Sequence, residues 1–250
     1  MDSRSGAVKK APPRYPLDSA GIIMPAVADR FNTTFFRLSA LLQEEVDAAR
    51  LQRALDGLLT RFSHIFVRLV PTWSGHRLET LAAAPTVEVD EGFPCMGSDI
   101  AKAGTPLLRV RVKGRRLAVE TSHVMTDGAG AVALFKAVLA EYVALAHPEL
   151  GAAFAEAGIA RPGDHIPPGE HEDAFRRYYQ RGLRWPESRP RAWHIPGERL
   201  PRGEYRATVF CIDLAAVLSR TRSAGYRLTE FLAALSLAAL QDLHRSRAGE

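Results

Sequence analysis

Hydrophobic and polar residues alternate along residues 31–42, with Phe31, Thr33 and Phe35 on one side and Asn32, Thr34 and Phe36 on the other. That two-residue period predicts a strand. After Asp47, a residue suited to cap a helix, the period lengthens: Leu51, Ala54, Leu55, Leu58 and Phe62 fall on one helical face. Residues 64–70 and 77–81 read as a hairpin turning at Ser74 and Gly75. A clearer hairpin follows, in which Leu108, Val110 and Val112 alternate with Arg109, Arg111 and Lys113. One face of this strand is expected to be buried and the other wet, with Gly114 in the turn and residues 117–122 returning. A strongly apolar helix is predicted over 129–146, using Val132, Phe135, Leu139, Tyr142 and Val143, and His147-Pro148 ends it.

Residues 151–204 are rich in Pro, Gly and Arg, with at most one short helix expected, near 173–182. Regular structure resumes with a strand over 205–212, a helix capped by Asp213 that stops at Gly225, and a last helix over 229–244. That last helix is apolar nearly all round from Phe231 to Leu240, a pattern that asks for cover on every side. Hairpins beside crossover helices predict an α+β fold, an α/β two-layer sandwich with a mixed, mostly antiparallel sheet. The expected organisation is a loose tail over 1–14, a lobe over 15–150, a connecting segment over 151–204 and the start of a second lobe over 205–250.

Composition changes this picture little. The hydrophobic share is 46% and the charged share 24%, ordinary for a globular chain. No apolar run approaches the roughly 20 residues of a spanning helix, and the N-terminus lacks a secretory apolar stretch, so no membrane span and a cytoplasmic location are expected. Two cysteines, Cys95 and Cys211, are read as reduced structural thiols. The net charge of +5 is compatible with an anionic ligand such as a phosphate-bearing cofactor. Residues 171–206 hold nine arginines against five acids, yet their companions are Pro and Gly and the aromatics do not form a stacking platform. They read as a solvated linker, and no nucleic-acid partner is expected.

The chemistry concentrates where the second hairpin meets the apolar helix: Ser122-His123-Val124-Met125-Thr126-Asp127-Gly128. A histidine at a strand end is held by a rigid sheet while its ring projects into whatever opens there, and an imidazole can be neutral and basic near neutral pH. Asp127, at the mouth of the helix, can accept its free N–H groups and pin the turn. Gly128 is expected to remove a side chain where helix and strand pass closely. On spacing alone the alternative, a histidine satisfied at a strand end with Asp127 as a mere cap, stands level with the catalytic reading. A metal site would need both residues on one helical turn plus a further ligand, and none is expected. Ser122 as a hydrolase nucleophile is disfavoured, because neighbours on a strand point to opposite faces.

The arrangement His123-x-x-x-Asp127-Gly128, after a strand and opening an apolar helix, resembles the active-site motif of the chloramphenicol-acetyltransferase-like superfamily. Alcohol acetyltransferases, wax-ester synthases, polyketide-associated acyltransferases and condensation domains belong to it. Residues 31–35, 51–62 and Thr105-Pro106-Leu107-Leu108-Arg109-Val110 fit its N-terminal half, and 229–243 looks like the helix that opens the second half. Condensation domains usually carry a second histidine just before the motif histidine; Ser122 stands there, which leans toward the alcohol or amine acetyltransferase branch. The resemblance implies transfer of an acyl group, acetyl first among them, from coenzyme A or carrier-bound pantetheine to an alcohol or amine. His123 is then the general base and Asp127 a structural residue held by an arginine. The thioester is a co-substrate, with no tightly bound cofactor and no metal. Partners implied are the small-molecule acceptor, the acyl thioester and a carrier protein. The family's second lobe supplies further strands and an Asp-Phe-Gly-Trp-Gly motif absent here, so the chain reads as a truncated member. The alternative reading is a catalytically inactive half-enzyme that serves as a binding module, meeting a separate second lobe or its own copy through 229–243.

Overall fold

The structure, a computed structural model, describes residues 12–29, 31, 33–100, 102, 104–182, 193–195 and 197–248. Residues 1–11 of the expected tail and Asn32 of the first expected strand lie outside the described residues. The chain forms two compact units, Met1–Arg181 and Gly182–Glu250.

In the first unit the order is β1 (Arg14–Pro16), α1 (Met24–Val27), β2 (Phe35–Leu41), α2 (Ala48–Leu58), β3 (Val67–Thr72), β4 (Gly75–Thr80), β5 (Glu88–Val89), β6 (Leu108–Lys113), β7 (Arg116–Ser122), α3 (Gly128–Ala144), α4 (Gly151–Glu156) and α5 (Ala174–Tyr178). Two sheets result, one ordered β1-β4-β3 and one ordered β2-β7-β6-β5. Every pairing is antiparallel except β5 with β6. The fold is thus α+β with a mixed, mostly antiparallel sheet, as the alternating and helical periods predict. Leu107 ties the sheets together: its N–H donates to the Val67 carbonyl at 3.0 Å, and its own carbonyl accepts from the Ser122 N–H at 2.9 Å.

The main core lies between α2, α3 and one face of the larger sheet. Leu51, Ala54, Leu55 and Leu58 of α2 meet Leu134, Ala137 and Val138 of α3 over Leu108, Val110, Leu117 and Val119, all but fully buried. Truncating any one of those leucines to Ala would cost about 2–5 kcal/mol. Asp47 caps α2 as expected, its Oδ1 accepting from the Ala49 and Arg50 N–H groups at 2.9 and 3.0 Å. A second cluster, Phe35, Val67, Leu69, Leu78, Leu107 and Val124, fills the space beside the smaller sheet.

The opposite face of the larger sheet corrects the wet surface expected for Arg109 and Arg111. Arg111 is buried and Arg109 half-buried, because Glu120 on the neighbouring strand is fully buried and needs cationic partners. Arg37 donates to both Asp90 oxygens, at 2.9 and 2.7 Å, and through Nε to Glu120 Oε1 at 2.9 Å. Arg109 Nη1 lies 3.5 Å from Glu120 Oε2, and the Cys95 N–H donates to Glu120 Oε1 at 2.8 Å. The hydrogen bonds from Arg37 hold the Asp90 carboxyl below the usual carboxylate range.

The second unit contains α6 (Leu214–Ser223) and α7 (Leu228–Ala248). Asp213 caps α6 through its bond from the Ala216 N–H at 3.1 Å, and Gly225 follows its end at φ 77°. The strand expected over 205–212 does not form. No strand ladder pairs with it among the described residues, and an extended segment without a ladder partner leaves its backbone groups to solvent. Val209 and Phe210 are exposed accordingly.

Candidate functional site

β7 ends at Ser122 and α3 begins at Gly128, so the five residues between them turn the chain from sheet to helix. Three anchors fix this turn. The His123 N–H donates to the Thr34 carbonyl at 2.9 Å, extending the β2–β7 ladder by one residue. The fully buried Ser122 hydroxyl lies 2.6 Å from Thr34 Oγ1 and accepts from the Val124 N–H at 3.2 Å. Asp127 caps α3, its Oδ1 accepting from the Gly130 N–H at 2.9 Å. Ser122 and His123 point apart: one hydroxyl is sealed in the sheet, and one imidazole is exposed. That removes Ser122 as a nucleophile and gives it the ordinary work of a serine that satisfies the backbone two residues on.

The His123 ring rests on Phe36, with centroids 4.2 Å apart and planes 25° apart. Among the described residues neither ring nitrogen is hydrogen-bonded. Asp127 makes no bond to His123, and no arginine or lysine pairs with it among the described residues. The arginine partner implied for Asp127 is therefore absent from the described part of the chain, and the helix N-terminus takes its place.

Gly128 requires a correction. A Cβ built there meets nothing within 4 Å, so no close approach demands a glycine. The crowded glycines are two others. At Gly130 a Cβ would fall 2.1 Å from Thr126 Oγ1, and at the buried Gly21 it would fall 2.6 Å from the Val124 carbonyl oxygen. Gly21, about a hundred positions away in sequence, is thus pressed against the turn that carries His123. Nothing in the local sequence signals it, because the contact is made by tertiary packing alone. The roles of Ser122 and Thr34 were within reach, since a serine ending a strand before a turn often bonds the backbone ahead of it.

A cavity of about 780 Å³ in the first unit is lined by Val124, Met125, Thr126 and Asp127 of the turn but not by His123. Its other walls include a cluster absent from the sequence-based reading. Arg61 and Glu170 form a bidentate pair with both bonds at 2.7 Å, and His64 Nε2 stands 3.6 Å from Glu170 Oε2. Burial lowers the His64 pKa to about 4, against the opposing pull of the Glu170 charge. The bonds from Arg61 hold the Glu170 carboxyl below its ordinary range. Among the described residues no group of three or more His, Cys, Asp or Glu side chains is arranged to hold a metal ion. No helix there is long and apolar enough to cross a membrane. Both cysteines are free thiols; burial, then the Glu120 charge, pushes that of Cys95 up to about 11.

No family model matches the chain, and no curated protein matches it. Among solved structures it is similar in fold to the SgcC5 protein from Streptomyces globisporus, at 19% identity and a TM-score of 0.42, over 58% of this chain and 42% of that one. It is likewise similar to the starter condensation domain of rhizomide synthetase RzmA, at 14% identity and a TM-score of 0.44, over 59% and 44% of the two chains. A third is polyketide synthase associated protein 5 from Mycobacterium tuberculosis, at 18% identity and a TM-score of 0.38, over 57% and 39%. The chain spans less than half the length of each of these structures. At these scores the likeness bears on neither activity nor substrate.

Proposed function

We propose that the chain serves acyl transfer from a thioester, coenzyme A or a carrier-bound pantetheine, to an alcohol or amine, with His123 as general base. The observation that supports this most is the presentation of His123: a backbone pinned by Thr34 and Ser122, a ring seated on Phe36, and both ring nitrogens unengaged. An imidazole held in this way can take a proton without first breaking a bond of its own.

In the proposed reaction the acceptor oxygen or nitrogen attacks the thioester carbonyl carbon while His123 takes its proton. The tetrahedral intermediate collapses, the carbon–sulfur bond breaks, and the imidazolium returns the proton to the departing thiolate. The products are an ester or amide and a free thiol, with acetyl the first acyl group to try. No acyl-enzyme is formed, and the rate depends on holding two substrates in line. Thiol release from acetyl-coenzyme A in the presence of small alcohols and amines tests it, and release that persists unchanged in His123→Ala removes the assigned base.

A second reading, a binding module without turnover, draws support from α7. Leu235, Leu237 and Leu243 on that helix are exposed, at 56%, 67% and 46%. It predicts a defined self-complex or partner complex that Leu235→Asp dissolves, and no thiol release under any donor.

A further inference from the structure

The smaller sheet has a cationic face. Arg14 on β1 and Arg68 on β3 both stand opposite Glu79 on β4, and Arg77 lies two residues from Glu79, so all four share one side of the sheet. Glu79 is held by two of the arginines: Arg14 Nη2 lies 2.8 Å from its Oε2, and Arg68 Nη2 lies 2.6 Å from its Oε1. Arg77 is exposed and pairs with no carboxylate among the described residues. Three arginines around one carboxylate leave this face with a surplus of positive charge.

The end of the same sheet adds an independent sign. Thr72 pairs with Gly75, so β3 turns into β4 through only Trp73 and Ser74. Such turns draw on Gly, Asn and Asp for their backbone, and nothing in that geometry calls for an indole. Trp73 is nonetheless there and is 100% exposed, so its ring adds nothing to the core. Ile22 stands beside it, lining one groove of about 540 Å³ with Thr72, Ser74, Arg14, His76 and Arg77, and no described carboxylate lines that groove. Ile22 and its neighbour Ile23 are 61% and 60% exposed. Aromatic, aliphatic and cationic side chains therefore meet at one end of the sheet without a use in the fold.

We propose that this end of the first unit docks on an anionic lipid surface, with Trp73 and Ile22 seated at the level of the headgroups and Arg77 against their negative charge. An indole, apolar in body and polar at its N–H, suits the boundary between water and hydrocarbon. Each arginine near an anionic leaflet adds attraction. The protruding ring favours a lipid surface over an acidic protein. A protein partner must offer a fitted pocket for a ring at the apex of a turn, whereas a bilayer interface takes it without one. The docking is peripheral, and it does not depend on the acyl-transfer reading.

Co-sedimentation of the full chain with vesicles tests it, comparing pure phosphatidylcholine with phosphatidylcholine that contains about a third phosphatidylglycerol. Binding to the anionic vesicles is expected to be at least about tenfold tighter, and added salt should weaken it. Trp73→Ala and Arg77→Glu should each weaken it by about tenfold or more. Both side chains are exposed, so the circular dichroism spectra of the variants should match that of the parent chain. No binding to either vesicle, equal binding to both, or affinity that neither variant changes would overturn the proposal; the last result would place the contact elsewhere on the chain. Binding to polyglutamate without binding to vesicles would also overturn it, in favour of an acidic protein partner.

Discussion

Phe36 carries His123: the imidazole lies almost flat on the phenyl ring, 4.2 Å between centroids, and no hydrogen bond within the described chain takes over that task. In many catalytic sites a carboxylate aims the base. Here the proposed base is positioned by a stacked ring on the neighbouring strand and by a backbone fixed one residue beyond the sheet.

Phe36→Ala should therefore lower kcat/KM by about three- to tenfold, the equivalent of a ring contact of about 0.5–1.5 kcal/mol. Phe36→Tyr or Phe36→Trp should restore most of it, since either keeps a flat surface under the imidazole. Steady-state kinetics on the three variants check this, and equal activity in Phe36→Ala would mean the ring needs no platform.

Glycine replacements separate the two kinds of glycine near the turn. Gly128→Ala should be tolerated, because its Cβ would meet open space. Gly21→Ala should destabilise by about 1–3 kcal/mol, since its Cβ would press on the Val124 carbonyl and backbone must move. Urea unfolding midpoints measure both, and a Gly128→Ala loss larger than that of Gly21→Ala would contradict the packing described.

Asp127 caps α3, and among the described residues no arginine or lysine pairs with it. Asp127→Asn or Asp127→Ser, which keep a cap acceptor, should retain stability within a few tenths of a kcal/mol, whereas Asp127→Ala should lose about 0.5–2 kcal/mol. Thermal denaturation reads the difference.

His64 gives a pH dependence with a definite sign. Its folded pKa, about 4, lies below the ordinary histidine value of 6.5, so the neutral form is the one the fold accommodates. Its contribution is complete above the unfolded value and is lost as pH falls from about 6.5 to about 4, where the unfolded chain binds a proton that the folded chain refuses. The loss is at most on the order of 3 kcal/mol, from the size of that shift. His64→Gln, which cannot charge, should flatten this part of the curve when urea midpoints are compared across that window. An equally steep fall in the variant would assign the effect elsewhere.

Much of the frame was legible in the chain because it depends on short-range patterns. The Gly114 hairpin, the Asp47 and Asp213 caps and the start of α3 at the His123–Gly128 turn all follow from alternation, capping residues and turn chemistry within a few positions. What was illegible depends on pairing across the sequence. Arg111 looked wet because its own strand alternates, and only the fully buried Glu120 on β7, with Asp90 from a distant loop, explains its burial. The segment over 205–212 has a strand's composition but finds no ladder among the described residues, and composition does not supply a partner. For the site, His123 and Asp127 were visible as a motif, whereas Phe36 as platform, Gly21 as the tight neighbour and the His64–Glu170–Arg61 cluster come from packing.

The most direct measurement is thiol release from acetyl-coenzyme A by the protein and by His123→Ala, across a panel of small alcohols and amines. The account predicts acceptor-dependent release that falls by about 10²–10⁴-fold in His123→Ala, the usual contribution of a positioned general base. Release that survives the substitution, or that ignores the acceptor, would contradict it.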